Sequence, residues 1–236
     1  MRILIVSDIH SNPFALRAVA DDAGAVDHVL CCGDCVNYGT RPLEVIAWLQ
    51  ARGAIVVRGN HDDAVAFNHH PHASPAKAHL AVEIQKWTAS QLDSVARSWL
   101  TRLPLSLTWE IGGARFFLAH ATPVDPLYDY RLTPDADFYL LNELVGSCRA
   151  EFVCLGHTHY PLVRQYRGMT ILNPGSVGQP LDGDPRASYA IWDDGKITLH
   201  RVTYPYRQMI TTLGEMYLPD DLEQSLRRSF ELGKMT

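Results

Sequence analysis

The stretch Ile55-Val56-Val57-Arg58-Gly59-Asn60-His61-Asp62 decides how this chain is read. A short apolar run that halts at a glycine reads as a buried strand, and the polar residues just past its end stand where open α/β sheets place their ligands. Asn60 beside His61 points towards a metal, because an amide cannot exchange protons and serves as a neutral oxygen donor or a hydrogen-bonding group. Four further apolar runs end in the same way. Ile3-Leu4-Ile5-Val6 leads into Asp8 and His10, and His28-Val29-Leu30-Cys31-Cys32 into Gly33-Asp34. Arg115-Phe116-Phe117-Leu118-Ala119 stops at His120, and Phe152-Val153-Cys154-Leu155 at Gly156-His157-Thr158-His159. Residues two apart on extended chain share a side, so Asp8 with His10, and His157 with His159, are expected to converge through strand alternation. Two aspartates, four histidines and Asn60 are more donors than one divalent ion uses, and they suit two ions sharing a carboxylate.

At 236 residues the chain suits one sizeable domain over residues 1–236. Its 47% hydrophobic and 20% charged composition is that of a globular protein, and a net charge of -5 without a Lys or Arg run speaks against a nucleic-acid or membrane binder. The first apolar run is too short for a signal peptide and no segment has bilayer length, so a cytoplasmic location is expected. The five cysteines, three of them in Cys31-Cys32-Gly33-Asp34-Cys35, do not read as a disulfide framework. Cys32 and Cys35 have the spacing of a redox pair, but a small buried hydrophobe is the commoner use of cysteine.

In chain order, Asn12-Pro13 can cap and open a helix through Val19, and a second helix runs from Pro42 to Leu49. Strand and helix alternating with short connections predict a mostly parallel sheet. Residues 64 to 103 break that rhythm: a loop around Phe67-Asn68-His69-His70-Pro71-His72, a helix from Ser74-Pro75 through Trp87, and another around Val95, Trp99 and Leu103. They read as a helical insertion placed to overhang the site. Its histidines read as solvated loop residues, with a third metal or substrate contact as the alternatives. Leu105 to Glu110, Gly112-Gly113 and Arg115 to His120 form a hairpin, followed by a helix from about Asp135 to Val145. Strands around 162–165, 169–172, 188–192 and 197–202 suggest a second, antiparallel-rich sheet, and residues 205 to 230 look helical.

Asp8-Ile9-His10, Gly33-Asp34, Gly59-Asn60-His61-Asp62, His120 and Gly156-His157-Thr158-His159, in this order, resemble the signature of the calcineurin-like metallophosphoesterases. Asn173-Pro174-Gly175-Ser176-Val177-Gly178 and Tyr38-Gly39 resemble the smaller bacterial and archaeal phosphodiesterase-like members. The resemblance implies an α/β fold, a four-layer α/β/β/α sandwich of two mixed sheets with flanking helices. It implies a metal-dependent phosphoric ester hydrolase that cleaves a phosphodiester or nucleotide-type ester through a metal-bridging hydroxide. The resemblance assigns Asp8, His10 and His159 to one divalent ion, Asn60, His120 and His157 to a second, and Asp34 between them. Mixed imidazole and carboxylate donors suit manganese, iron, zinc, cobalt or nickel. By the same resemblance His61 is the catalytic group that assists the leaving oxygen, with Asp62 as the carboxylate that orients its ring.

Asn12, Tyr38 and Arg58 are the candidate substrate contacts. Tyr38 stands where protein phosphatases of the superfamily carry a phosphate-gripping arginine, which makes a phosphoprotein substrate less suited to this chain. Arg58 can bind phosphate or pair with a neighbouring carboxylate, and Asn12 can cap its helix, contact substrate, or both. The competing functions are phosphomonoesterase or protein phosphatase, dinucleoside polyphosphate hydrolase, nuclease, and a binding scaffold that has given up catalysis, as in the retromer subunit of this fold. The expected partner is a small phosphate ester or nucleotide, with no membrane and no strong nucleic-acid signal; a homo-oligomer stays open.

Overall fold

The computed structural model describes residues 1–72 and 78–234. Strands β1 (Arg2–Val6), β2 (His28–Cys31) and β3 (Ile55–Val56) run parallel, with α1 (Pro13–Ala23) and α2 (Pro42–Ala51) as the crossovers. Asn12 caps α1 by accepting from the Ala15 N–H at 3.1 Å, and Pro13 and Pro42 open their helices. Three helices follow: α3 (Asn60–Phe67), α4 (Ala78–Gln91) and α5 (Ser94–Arg102). Strands β4 (Ser106–Ile111) and β5 (Ala114–Ala119) make the expected hairpin; α6 (Phe138–Val145) and β6 (Phe152–Cys154) come next. The chain continues through β7 (Leu162–Tyr166), β8 (Met169–Asn173), β9 (Ala187–Asp193), β10 (Lys196–Val202), α7 (Tyr206–Thr212) and α8 (Asp220–Leu232).

There are two five-stranded mixed sheets, ordered β10-β9-β1-β2-β3 and β4-β5-β6-β8-β7. The last four strands do not build a sheet of their own. β9 instead pairs antiparallel with β1 and carries β10 back to the first sheet, while β8 lies parallel to β6 with β7 as its hairpin partner. Burial fits this place: β9 is buried along six of its seven residues, with Ala187, Tyr189 and Ile191 in the helix-side core and Ala190 and Trp192 in the core between the sheets. The other differences concern residues 60–67, which form α3 although Asn60 to Asp62 reads as the end of a strand, and Ser74 and Pro75, which lie outside the described residues.

Alternation along the strands builds the layers. Ile3 and Ile5 of β1 join Phe116, Leu118, Phe152, Cys154, Leu172 and Trp192 in the core between the sheets. Leu4 and Val6 face the other way, onto Leu16, Val19, Val45 and Leu49 of α1 and α2. On the far side of the second sheet, Val153, Leu155 and Ile171 pack on Leu141, Leu144 and Val145 of α6. The result is the expected four-layer α/β/β/α sandwich. All five cysteines are free; Cys31 and Cys35 lie in the helix-side core with their sulfurs 3.9 Å apart, and Cys32 sits between the sheets. Burial pushes the Cys154 thiol up to about 12 and raises that of Cys32, so these are packing residues rather than reactive ones. Among the described residues, no helix is long and apolar enough to cross a membrane.

Phe116 anchors the inter-sheet core. It is fully buried, with its ring 5.0 Å from Phe152 and 5.5 Å from Trp192. Phe116→Ala is expected to lower the unfolding free energy by about 3–5 kcal/mol in a denaturant titration; a loss below about 1 kcal/mol would mean that the two sheets are held together elsewhere.

Candidate functional site

Six parallel strands end on one side of the molecule. Just beyond β1 come Asp8 and His10, beyond β2 Asp34, beyond β3 Asn60, beyond β5 His120, and beyond β6 His157 and His159. β8 ends in Asn173, whose amide donates to the Gly156 carbonyl at 2.7 Å. Ser176 Oγ donates to the Asp8 carbonyl at 2.7 Å, and the Gly178 N–H to the same oxygen at 3.0 Å. The Asn173 to Gly178 stretch thus clamps the Asp8 and His157 loops to each other.

Seven side chains converge in the resulting pocket. His120 Nε2 lies 3.0 Å from Asn60 Oδ1, 3.1 Å from His157 Nδ1 and 3.2 Å from Asp34 Oδ2. His159 Nε2 lies 3.2 Å from both Asp8 Oδ1 and His10 Nε2, and Asp34 Oδ2 is 3.8 Å from His10 Nε2. Asp34 therefore touches both groups. Two triads, Asp8-His10-His159 and Asp8-Asp34-His120, have the spacing of a metal site. Donors about 2.1 Å from an ion lie roughly 3.0–3.4 Å from one another, and most of the separations here fall in that range.

The orientation of each donor fits a cation. Nδ1 of His10, His120 and His159 donates to the carbonyls of Val36, Cys32 and Gln179 at 3.1, 2.8 and 2.5 Å, which turns each Nε2 lone pair inward. The Asn60 amide donates to the Pro71 carbonyl at 2.8 Å, so its oxygen faces the cluster. Asp8 Oδ1 is buried without a hydrogen-bond partner. Lone pairs facing one another in a buried space are stable only with a positive charge among them. Burial opposes the ionisation of Asp34, but His120 and His61 outweigh it and hold the carboxyl well below its usual range. Burial pulls His10 down to about 3, against the opposing charge of Asp34, so its imidazole is neutral. At His120 burial is outweighed by the Asp34 and Asp8 charges, which raise the ring to about 10, so a cation bound there would displace its proton.

These residues do not converge through strand alternation. Asp8, His10, Asp34, His157 and His159 all have positive φ, between 48° and 67°. Each leaves the pleated direction through a left-handed residue, a conformation that costs a non-glycine residue roughly 1–3 kcal/mol. Asn60 and His61 arrive differently, on the first turn of α3, where the His61 N–H donates to Asp34 Oδ1 at 2.9 Å. Asp62 does not touch the His61 ring. Its two oxygens accept from the N–H groups of Cys35, Val36 and Gly59 at 2.9, 3.2 and 3.0 Å, which ties the Asp34 loop to α3. The partner of His61 is Asn37, whose Nδ2 donates to Nδ1 at 2.9 Å. Only its place in the Gly33 to Gly39 run marks Asn37 in the sequence.

Arg58 is engaged by the Asp63 carboxylate at 3.1 Å and the Thr101 carbonyl at 3.0 Å. Asn12 uses its oxygen to cap α1 and its nitrogen to donate to the Gly178 carbonyl at 3.0 Å. Tyr38 is buried, its ring edge-on at 4.9 Å to both His10 and His61. The helices after residue 64 hold α3 in place: Gln85 donates to the Ala64 carbonyl and Arg97 to that of Val65.

A family model for the calcineurin-like phosphoesterase superfamily domain matches residues 1–195. An uncharacterized protein of Methanocaldococcus jannaschii is 31% identical over 244 residues, spanning 95% of this chain and 96% of its own length. A metallophosphoesterase from Sphaerobacter thermophilus, 33% identical, superimposes over 99% of this chain and 100% of its own with a TM-score of 0.80. A hypothetical protein from Pyrococcus horikoshii, 22% identical, does so over 95% and 97%, also at 0.80, and shares the fold.

Gly59 is the narrowest point of this arrangement. A Cβ there would stand 2.1 Å from Asp34 Oδ1 and 2.4 Å from the Asp34 nitrogen, whereas one at Gly214 would meet nothing within 4 Å. Gly59→Ala is expected to displace the Asp34 carboxylate and lower bound metal, measured by elemental analysis, at least tenfold, while Gly214→Ala leaves it unchanged. Full metal occupancy in Gly59→Ala would show that Asp34 is not held by this contact.

Proposed function

The chain belongs to the calcineurin-like phosphoesterase superfamily and is a metal-dependent phosphoric ester hydrolase; from that premise we propose that it cleaves phosphodiester or nucleotide-type esters at a centre of two divalent ions. In this reading Asp8, His10 and His159 hold one ion, Asn60, His120 and His157 the other, and Asp34 both. Manganese, iron, zinc, cobalt and nickel all suit the donors. When bound, such ions polarise phosphoryl oxygens and make water a competent nucleophile near neutral pH.

The observation that carries the reading is the state of His61. It lies beside the donor cluster, 5.4 Å ring to ring from His10, and burial pulls it down to about 4 against the Asp34 charge, so the imidazole is neutral. Because the Asn37 amide donates to Nδ1, the single ring proton resides on Nε2. His61 thereby presents a fixed N–H donor to the leaving oxygen, and Asn37 keeps it in that tautomer. A scaffold without catalysis has no use for such a device, nor for a complete donor set around strained backbone. Two features favour a diester over a dianionic monoester or a phosphoprotein: Tyr38 occupies the position of the phosphatase arginine, and Arg58 is neutralised by Asp63. Asn12 acts on substrate only through the loop it braces.

Turnover of an aryl phosphodiester and an aryl phosphomonoester by the manganese-loaded protein tests this directly. His61→Ala is expected to keep its metal and lose roughly 10²–10⁴ in kcat, whereas Asn60→Ala loses metal and activity together. Undiminished hydrolysis in both variants would overturn the assignment. For the residue that orients His61, Asn37→Ala should lower kcat across the whole neutral and alkaline range, where the ring is neutral, with the deficit shrinking only as the pH falls towards about 4 and both ring nitrogens become protonated; a deficit that does not shrink there, or no deficit at all, would make Asn37 a packing residue.

A further inference from the structure

One ring at the mouth of the pocket has no part in the chemistry above. The loop after His120 is tightly tied: the Ala121 and Thr122 N–H groups donate to the Pro126 and Asp125 carbonyls at 2.9 and 3.0 Å, and Thr122 Oγ1 donates to Asp129 at 3.2 Å. Arg131 grips both oxygens of Asp129 at 2.9 Å and reaches Glu143 at 2.6 Å. Between these two anchored residues stands Tyr130. Its ring lies on the His157 imidazole, with centroids 3.8 Å apart and planes tilted by 33°. Tyr130 remains 42% exposed although His157 lies against its ring, and burial together with the Asp34 and Asp8 charges raises its hydroxyl, so the ring stands over the edge of the donor cluster and still reaches solvent. Next to it, Tyr128 meets His72 edge-on at 4.9 Å, beside the Pro71 whose carbonyl fixes Asn60. Tyr38, by contrast, is buried among Leu80, Ile84 and Met209 and offers no free face.

From this placement we propose that Tyr130 is the specificity-determining residue, a platform on which the planar part of the ester, a nucleobase or an aryl group, stacks while its phosphoryl group occupies the donor cluster. The inference rests on the reaction proposed above and names its substrate class. Because Tyr130 lies on His157 and His157 lies against His120, an ester whose phosphoryl group meets those two imidazoles would have its substituent within reach of the Tyr130 ring, and an aromatic face backed in this way takes a planar group of any base with little sequence preference. The arginines on either side do not compete for that role. Arg58 is paired with Asp63, and Arg131 with Asp129 and Glu143, so a second phosphate or a carboxylate has no free guanidinium to meet.

The test compares wild type, Tyr130→Phe and Tyr130→Ala, each loaded with manganese and assayed for metal content. Calorimetric binding of adenosine 5′-monophosphate is set against inorganic phosphate, and kcat and KM for an aryl diester against those for a dialkyl diester. Tyr130→Phe is expected to behave as wild type. Tyr130→Ala should keep its metal, bind adenosine 5′-monophosphate about tenfold more weakly with phosphate affinity unchanged, and raise KM for the aryl ester alone. Equal weakening towards both ligands, loss of metal, or a wild type that binds the nucleotide no better than phosphate would each overturn the platform and make Tyr130 a cover for His157. A wild type that shows the nucleotide preference but hydrolyses no ester would refute the proposed reaction and leave the platform standing.

Discussion

A carboxylate held between two clusters of inward-facing lone pairs is the constraint on which the rest of this structure turns. Asp34 lies 3.2 Å from His120 and 3.8 Å from His10, is almost fully buried, and receives the first-turn N–H of His61. A buried negative charge of this kind is tolerable only where positive charge and directed donors surround it. The surroundings follow from that need. Gly59 lacks a side chain because a Cβ would collide with the carboxylate, and Asp62 ties the Asp34 loop to α3 through Oδ1 while its Oδ2 caps the start of α3 at Gly59. The helices after residue 64 then keep α3 aimed at the same point.

The scaffold separates stiffness from strain. Between the sheets the side chains are apolar and alternate regularly, with Phe116 and Phe152 stacked on neighbouring strands of the second sheet and both meeting Trp192 of the first edge-on. At the carboxyl ends of the strands the backbone departs from regular geometry, with five of the convergent residues in the left-handed region. Unfavourable local conformations persist only where surrounding contacts over-determine them. Here the hydrogen bonds from Ser176 and Gly178 to the Asp8 carbonyl, and from Asn173 to Gly156, supply that restraint. The Asn173 to Gly178 motif therefore acts by bracing the two loops, and its glycines are there for close approach: a Cβ on Gly178 would sit 1.8 Å from the Ile9 carbonyl.

Much of this was legible in the chain because burial writes itself into pattern. Five apolar runs, each halting at a carboxylate, an imidazole or Asn60, identified the strands and the donors, and Asn12-Pro13 marked its helix from local chemistry alone. The pairing of the last four strands was not legible. An apolar run records that it is buried but not beside which neighbour, so β9 and β10 could not be traced to β1 until their register was seen. The start of α3 was hidden because Asn60 and His61 read equally well as a strand's polar end.

What the amino-acid order determined by itself is the kind of fold and the set of donors, since residue type and period suffice to say what must be buried and what could bind an ion. What only the tertiary structure decided is the direction of each group. Asp62 serves the backbone and not His61, Asn37 takes that place, Arg58 is spent on Asp63, and Tyr130, from a loop with no pattern at all, lies over His157. The physical reason is that a hydrogen bond or a stacked ring depends on angles and on separations of a few ångströms between segments far apart in the chain, and no local period encodes them.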